Sequence, residues 1–255
     1  MNFSLKHIPH RTQAPRVAGL TMVNDKGLSL GEAQNMIDGA APFIDMVKLG
    51  FGTALLTNGI KEKIRFYKQH DIRVFVGGLL FEAYVARGQF KDYLKLMEEL
   101  ELNWFEVSDG SLTLTHEEKC DYIRMLKEKG TVVSELGSAD KDKVKVTPPY
   151  RWIELMKAEL EAGSTYLIAE AKELGTEGIY RDSGEVREGL VEEILTRIPA
   201  EKIIREAPAK DQQLYFVKLL GANANLGNIH PVDIISLETM RLGLRSDSFH
   251  FFLQR

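Results

Sequence analysis

Eight polar residues recur at intervals that a single strand-plus-helix unit would occupy: Asp25, Lys48, Glu82, Asp109, Glu135, Glu170, Glu206, and then Asn225 or Asn228. The gaps are 23, 34, 27, 26, 35 and 36 residues, and about 20 for the last. Six of the eight are carboxylates and one is a lysine. Carboxylates brought together away from water are costly unless they are paired or hold a metal, so their convergence would make a site and not a packing solution. A donor set built from oxygen alone suits a hard cation. Mg2+ fits best, because it takes few protein carboxylates and fills the rest of its shell with water and substrate oxygens. Zinc is not expected, since His7, His10, His70, His116, His230 and His250 do not fall at ligand spacing.

A second feature points to an anion. The stretch Gly221-Ala-Asn-Ala-Asn-Leu-Gly-Asn-Ile-His-Pro is rich in glycine and asparagine and runs into a helix at Pro231. Asn225, Gly227 and Asn228 would offer polar groups and backbone N–H groups to a small anion there. Lys48 adds a point charge, and Gly50 and Gly52 let the chain turn closely beside it. The ligand expected is a small phosphorylated or carboxylated acid. Lys48 has a second reading as a Schiff-base residue, because a lysine that is buried loses proton affinity.

These residues need elements that bring them to one face. Apolar runs predict strands at 17–23, 43–49, 72–76, 104–108, 131–135, 165–170 and 202–206, and, by composition only weakly, at 222–226. Helical periodicity or capping signals lie between them. Ser29 with Glu32, and Thr115 with Glu118, have the spacing of a capping box. Ile60, Ile64 and Tyr67 recur at three and four, as do Tyr93, Leu94, Met97 and Leu100. Strand and helix alternate eight times, which predicts a (β/α)8 TIM barrel forming a single domain over residues 1–255. A doubly wound open sheet is the competing fold, but no Gly-x-Gly-x-x-Gly follows the first strand. In a closed barrel every strand exit lies on one face, where barrel enzymes place their chemistry.

Composition narrows the partners. A net charge of -4 with scattered basic residues argues against nucleic acid. No run approaches the ~20 apolar residues of a membrane span, and the first residues, MNFSLKHIPHR, do not read as a signal peptide. With the single Cys120, these features lead us to expect a cytoplasmic protein without an internal disulfide. Aromatic residues such as Tyr84, Trp152 and Phe249 are compatible with a homo-oligomer as well as with core packing.

The motifs taken together resemble one family. Asp45-Met-Val-Lys-Leu-Gly-Phe-Gly-Thr, Gly77-Gly78 with Phe81-Glu82, Phe105-Glu-Val-Ser-Asp-Gly, Ser134-Glu-Leu-Gly, Glu206-Ala-Pro-x-Lys-x-Gln-Gln, Asn225-Leu-Gly-Asn-Ile and Leu237-Glu-x-x-Arg-x-Gly-Leu-Arg are similar, in order and over about Arg16 to Arg245, to the phosphosulfolactate synthases. The resemblance implies a TIM barrel and a Mg2+-dependent carbon–sulfur lyase that adds sulfite to phosphoenolpyruvate, giving (2R)-phospho-3-sulfolactate, the first step of coenzyme M biosynthesis in methanogens. It also implies a family that includes oligomers. Carried onto this chain, it makes Glu82, Asp109, Glu135, Glu170 and Glu206 the carboxylate candidates, with Asp109, Glu135 and Glu170 favoured near the metal. Lys48, Asn225, Gly227 and Asn228 become the anion-binding candidates, with Arg16 and Lys210 as further ones. The chain departs from the family at three strand exits. Gly137 is followed by Ser138-Ala139-Asp140, where the family commonly has lysine, so Lys141 is the first lysine there; Lys172 and Leu174 replace an arginine and a serine; Leu79 replaces a small polar residue after Gly78. If the family's lysine after the glycine is the proton donor or sulfite ligand, Lys141 or Lys172 is the candidate to replace it here. The departures also keep open another phosphorylated or carboxylated substrate on the same scaffold, and a binding or stress-related homologue without catalysis.

Overall fold

The computed structural model describes residues 4–137, 147–171 and 176–253. Eight strands form one parallel sheet: β1 Thr21–Asp25, β2 Met46–Leu49, β3 Arg73–Val76, β4 Trp104–Val107, β5 Thr131–Leu136, β6 Tyr166–Ala169, β7 Ile203–Glu206 and β8 Leu226–Ile229. Their order is β3-β2-β1-β8-β7-β6-β5-β4. The two ends of that order, β3 and β4, lie side by side, so the sheet curls into the almost closed barrel of the (β/α)8 fold. The surrounding helices are α1 Leu30–Ala40, α2 Ile60–Gln69, α3 Gly78–Val85, α4 Phe90–Glu99, α5 His116–Lys127, α6 Pro149–Ala162, α7 Glu188–Leu195, α8 Lys210–Leu220, α9 Ile234–Arg241 and α10 Ser246–Leu253. Among the described residues no helix is long and apolar enough to cross a membrane.

Alternation along the strands builds two cores. Val23, Val47, Val74, Val107 and Leu167 face outward and pack with helix residues such as Ile64, Tyr67, Tyr93, Ile123 and Met156. Met22, Met46, Phe75, Val133, Tyr166, Ile168 and Ile204 fill the barrel interior, a packed floor and not a pore. Both capping boxes expected for Ser29–Glu32 and Thr115–Glu118 are formed, which fixes where α1 and α5 begin.

Two elements differ from the sequence expectation. Strand β8 begins four residues later than composition suggested, at Leu226. The stretch 222–225 is instead a turn whose carbonyls, at Ala222 and Ala224, accept from the fully buried Arg241. An additional helix, α3, starts at Gly78, directly after β3. Its sequence, GLLFEAYV, is apolar nearly all round, so helical periodicity does not reveal it.

Candidate active site

The strand exits surround a cavity of about 390 Å3, lined by Asn24, Lys48, Gly50, Phe51, Gly77, Gly78, Leu79, Glu82, Glu106, Gly110, Ser111, Glu135, Glu170, Glu206 and Asn228. Five of these are glutamates and one is a lysine. Inward parity delivers the central groups. Asn24 on β1 stands opposite Lys48 on β2, and Lys48 opposite Phe75 on β3. Glu106 on β4 stands opposite Val133 on β5, with Glu135 two residues farther on.

Lys48 is the hub. Its ammonium lies 2.8 Å from Glu106, 3.0 Å from Glu135 and 3.3 Å from Glu206. Burial works against its charge, but the carboxylates outweigh burial and hold Lys48 well above the ordinary lysine range. It is therefore a fixed cation. The neutral amine that a Schiff base needs is the form this site disfavours.

The carboxylates are set apart by environment. Burial pushes Glu106 up to about 8, with Lys48 pulling the other way. Glu135 goes down, because Lys48 overcomes its burial. Glu206 goes up through burial and accepts the Ala171 N–H at 3.1 Å. Glu82, raised mainly by burial, accepts from the Ser108 hydroxyl and from the Ser111 N–H at 2.6 Å. Among the described residues neither oxygen of Glu106 has a hydrogen-bond partner of sound geometry.

Close backbone approach shapes the cavity. A Cβ on Gly50 would overlap the Asn24 amide, and one on Gly77 would lie 3.3 Å from Lys48 Cε. A Cβ on Gly137 would overlap the Glu170 carboxylate. The Asn24 amide donates to Asn228 Oδ1 at 2.7 Å, and Asn228 takes a left-handed φ of 55°, which asparagine tolerates better than most residues. The start of α3, at Gly77, Gly78 and Leu79, opens into the cavity, and its first N–H groups suit an anion.

Of the residues expected from sequence, Lys48, Glu82, Glu135, Glu170, Glu206 and Asn228 come together here. Others do not. Asp109 lies outside the lining and pairs with Lys119 at 2.8 Å. Asp25 faces outward, where it binds Lys63 and Tyr67 and accepts the Gly27 and Leu28 N–H groups. Arg16 lies at the opposite, N-terminal end of the barrel, bound to Asp45, Thr12 and Pro42. Asn225 is at that end too: its side chain joins the Leu20 N–H to the Glu201 carbonyl. Gly227 is in the barrel core, where a Cβ would sit 2.5 Å from Met22 and 2.9 Å from Ile204. Lys210 pairs with Asp247 of α10 at 2.6 Å. Lys141, Lys172 and the departures at Ala139 and Leu174 lie outside the described residues. Sequence reasoning passed over Glu106 and Asn24. The signal for Glu106 was present, a carboxylate between Phe105 and Val107 in an apolar strand.

Comparison with known proteins agrees with this geometry. Residues 9–247 match the family model of (2R)-phospho-3-sulfolactate synthase (ComA). The chain is 41% identical over 249 residues to a phosphosulfolactate synthase of Bacillus subtilis, covering 97% of this chain and 98% of that one. It is 36% identical to a phosphosulfolactate synthase of Methanothermobacter thermautotrophicus, covering 94% and 95%. Among solved structures, 3-hexulose-6-phosphate synthase from Salmonella typhimurium superposes with a TM-score of 0.53 at 13% identity, covering 92% of this chain and 99% of that one, a likeness of fold alone. With its family model matched nearly end to end and its strand-exit motifs gathered around one cavity, the chain belongs to the (2R)-phospho-3-sulfolactate synthase family.

Proposed function

We propose that the chain adds sulfite to C3 of phosphoenolpyruvate at this cavity, giving (2R)-phospho-3-sulfolactate. The observation that carries the reading is the fixed ammonium of Lys48 among glutamates of unequal proton affinity. The sulfur lone pair forms the C–S bond at C3. The C2=C3 π electrons move toward the carboxylate as an enediolate. A proton then goes to C2. Lys48 supplies the nearby positive charge that favours this build-up. Glu106, carrying its proton at neutral pH, is the acid placed to protonate C2. The N-terminus of α3 holds the phosphate, and the amides of Asn24 and Asn228 orient the substrate.

Two anions meeting five glutamates and one lysine need a further cation. Among the described residues no three of His, Cys, Asp and Glu form a metal cluster by themselves. Mg2+ does not need one, since one or two carboxylates with water and substrate oxygens suffice. Lys48 already engages Glu106, Glu135 and Glu206. On the other side, Glu170 and Glu82 converge around Gly110, where a Cβ would be 3.7 Å and 4.0 Å from their carboxylates. These two would hold Mg2+, which would supply charge stabilisation at the substrate carboxylate.

The test is phosphoenolpyruvate consumption with sulfite, with Mg2+ and after chelation, followed by mass detection of the product. Sulfite-dependent phosphosulfolactate that disappears with EDTA and returns with Mg2+ is expected. Folded protein that makes no adduct in either condition would refute the reading.

A further inference from the structure

A lysine and a glutamate lie sealed behind the cavity wall with no part in the chemistry above. Lys119 of α5 and Glu159 of α6 are 3.0 Å apart, with side chains 2% and 0% exposed. Such a buried pair commonly contributes less to stability than apolar side chains of the same size, so stability alone is a weak reason for it. Lys119 also reaches two groups at the cavity rim. It donates to Asp109 Oδ1 at 2.8 Å and to the Glu135 backbone carbonyl at 2.6 Å. One ammonium thus ties α6, through its ion pair with Glu159, to the β4 exit and the end of β5, through two hydrogen bonds. Beneath them the Ser164 hydroxyl donates to Ser134 at 2.7 Å. The carbonyl that Lys119 grips belongs to Glu135, whose side chain in turn grips Lys48 at 3.0 Å.

We propose that Lys119, backed by Glu159, is a positioning residue: it fixes the end of β5 so that Glu135 keeps Lys48 aimed at the reacting carbons. This rests on the sulfite-addition reading. Lys119 does not line the cavity and touches no substrate. Its loss should therefore act on turnover more than on capture of phosphoenolpyruvate by the α3 terminus.

The experiment compares wild type, Lys119→Met, Lys119→Arg and the double variant Lys119→Met with Glu159→Leu, by steady-state kinetics alongside thermal unfolding. The double variant removes both buried charges, so it keeps the fold where the single Met variant leaves Glu159 unpaired. The expected result is a folded double variant whose kcat is down by about 10- to 100-fold, while KM for phosphoenolpyruvate stays within about threefold. Lys119→Arg, which retains a long cation, should have a kcat above that of Lys119→Met. A folded double variant with wild-type kcat, or a loss confined to KM, would overturn the proposal while leaving the sulfite-addition reading intact. A wild-type protein that forms no adduct would remove that reading, and this inference with it.

Discussion

Replacing Glu106 by Gln separates its chemistry from its structural role. Glutamine copies the shape of the protonated acid but cannot give up a proton. In the native state burial raises Glu106 from 4.5 to about 8, whereas the unfolded chain ionises near 4.5. Between those values the native state holds one more proton than the unfolded state, so this group makes stability fall as pH rises. Its contribution is fully present below pH 4.5 and lost through pH 8. At about 1.4 kcal/mol per pH unit, the full effect is about 5 kcal/mol. Glu135 and Glu206 share the same lysine and adjust their own protonation, leaving about 1–3 kcal/mol. Urea denaturation of both proteins in metal-free buffer at pH 5 and pH 8.5 measures this. The variant should gain on wild type by about 1–3 kcal/mol between the two, while its kcat at neutral pH falls about 10²–10⁴-fold. A stability difference that does not change with pH, or that changes in favour of wild type, would refute the assignment of the proton to Glu106.

Other expectations follow from the same geometry. Lys48→Met should lower kcat by about 10²–10³ and, by leaving the buried Glu106, Glu135 and Glu206 side chains without their shared cation, lower stability by about 3–5 kcal/mol; unimpaired turnover would contradict its role as the hub. Borohydride treatment of wild type with a carbonyl substrate should leave Lys48 without a mass adduct. Gly227→Ala should cost about 1–3 kcal/mol through overlap with Met22 and Ile204, and Asn225→Ala a similar amount by orphaning the Leu20 N–H and the Glu201 carbonyl. Urea denaturation with parallel kinetics checks both, and a raised KM for phosphoenolpyruvate without lost stability would return either residue to the site.

The fold was legible because apolar runs alternate with helical stripes, two of them opened by capping boxes, and Lys48, Glu135, Glu170 and Glu206 were legible because they sit at or near inward-facing strand ends. Counting exits without counting parity put Asp25 in the site and passed over Asn24 and Glu106. Asn24 points inward, so its neighbour Asp25 points out, and it serves Lys63 and Tyr67. Glu106 points inward from within β4, three residues before the Asp109 that an exit rule selects, while Asp109 turns to Lys119. The late start of β8 moved Asn225 to the far end of the barrel and Gly227 into the core. The hub itself was not legible, since pairing one lysine with three glutamates needs the register of β2, β4, β5 and β7.

The most direct measurement is the reaction run in D2O with phosphoenolpyruvate, sulfite and Mg2+, with the product examined by mass spectrometry and NMR. Attack at C3 with protonation at C2 predicts one deuteron at C2, two protons retained at C3 and a single (2R) product. Deuterium at C3, a racemic product, or no C–S bond formed by folded protein would contradict the account.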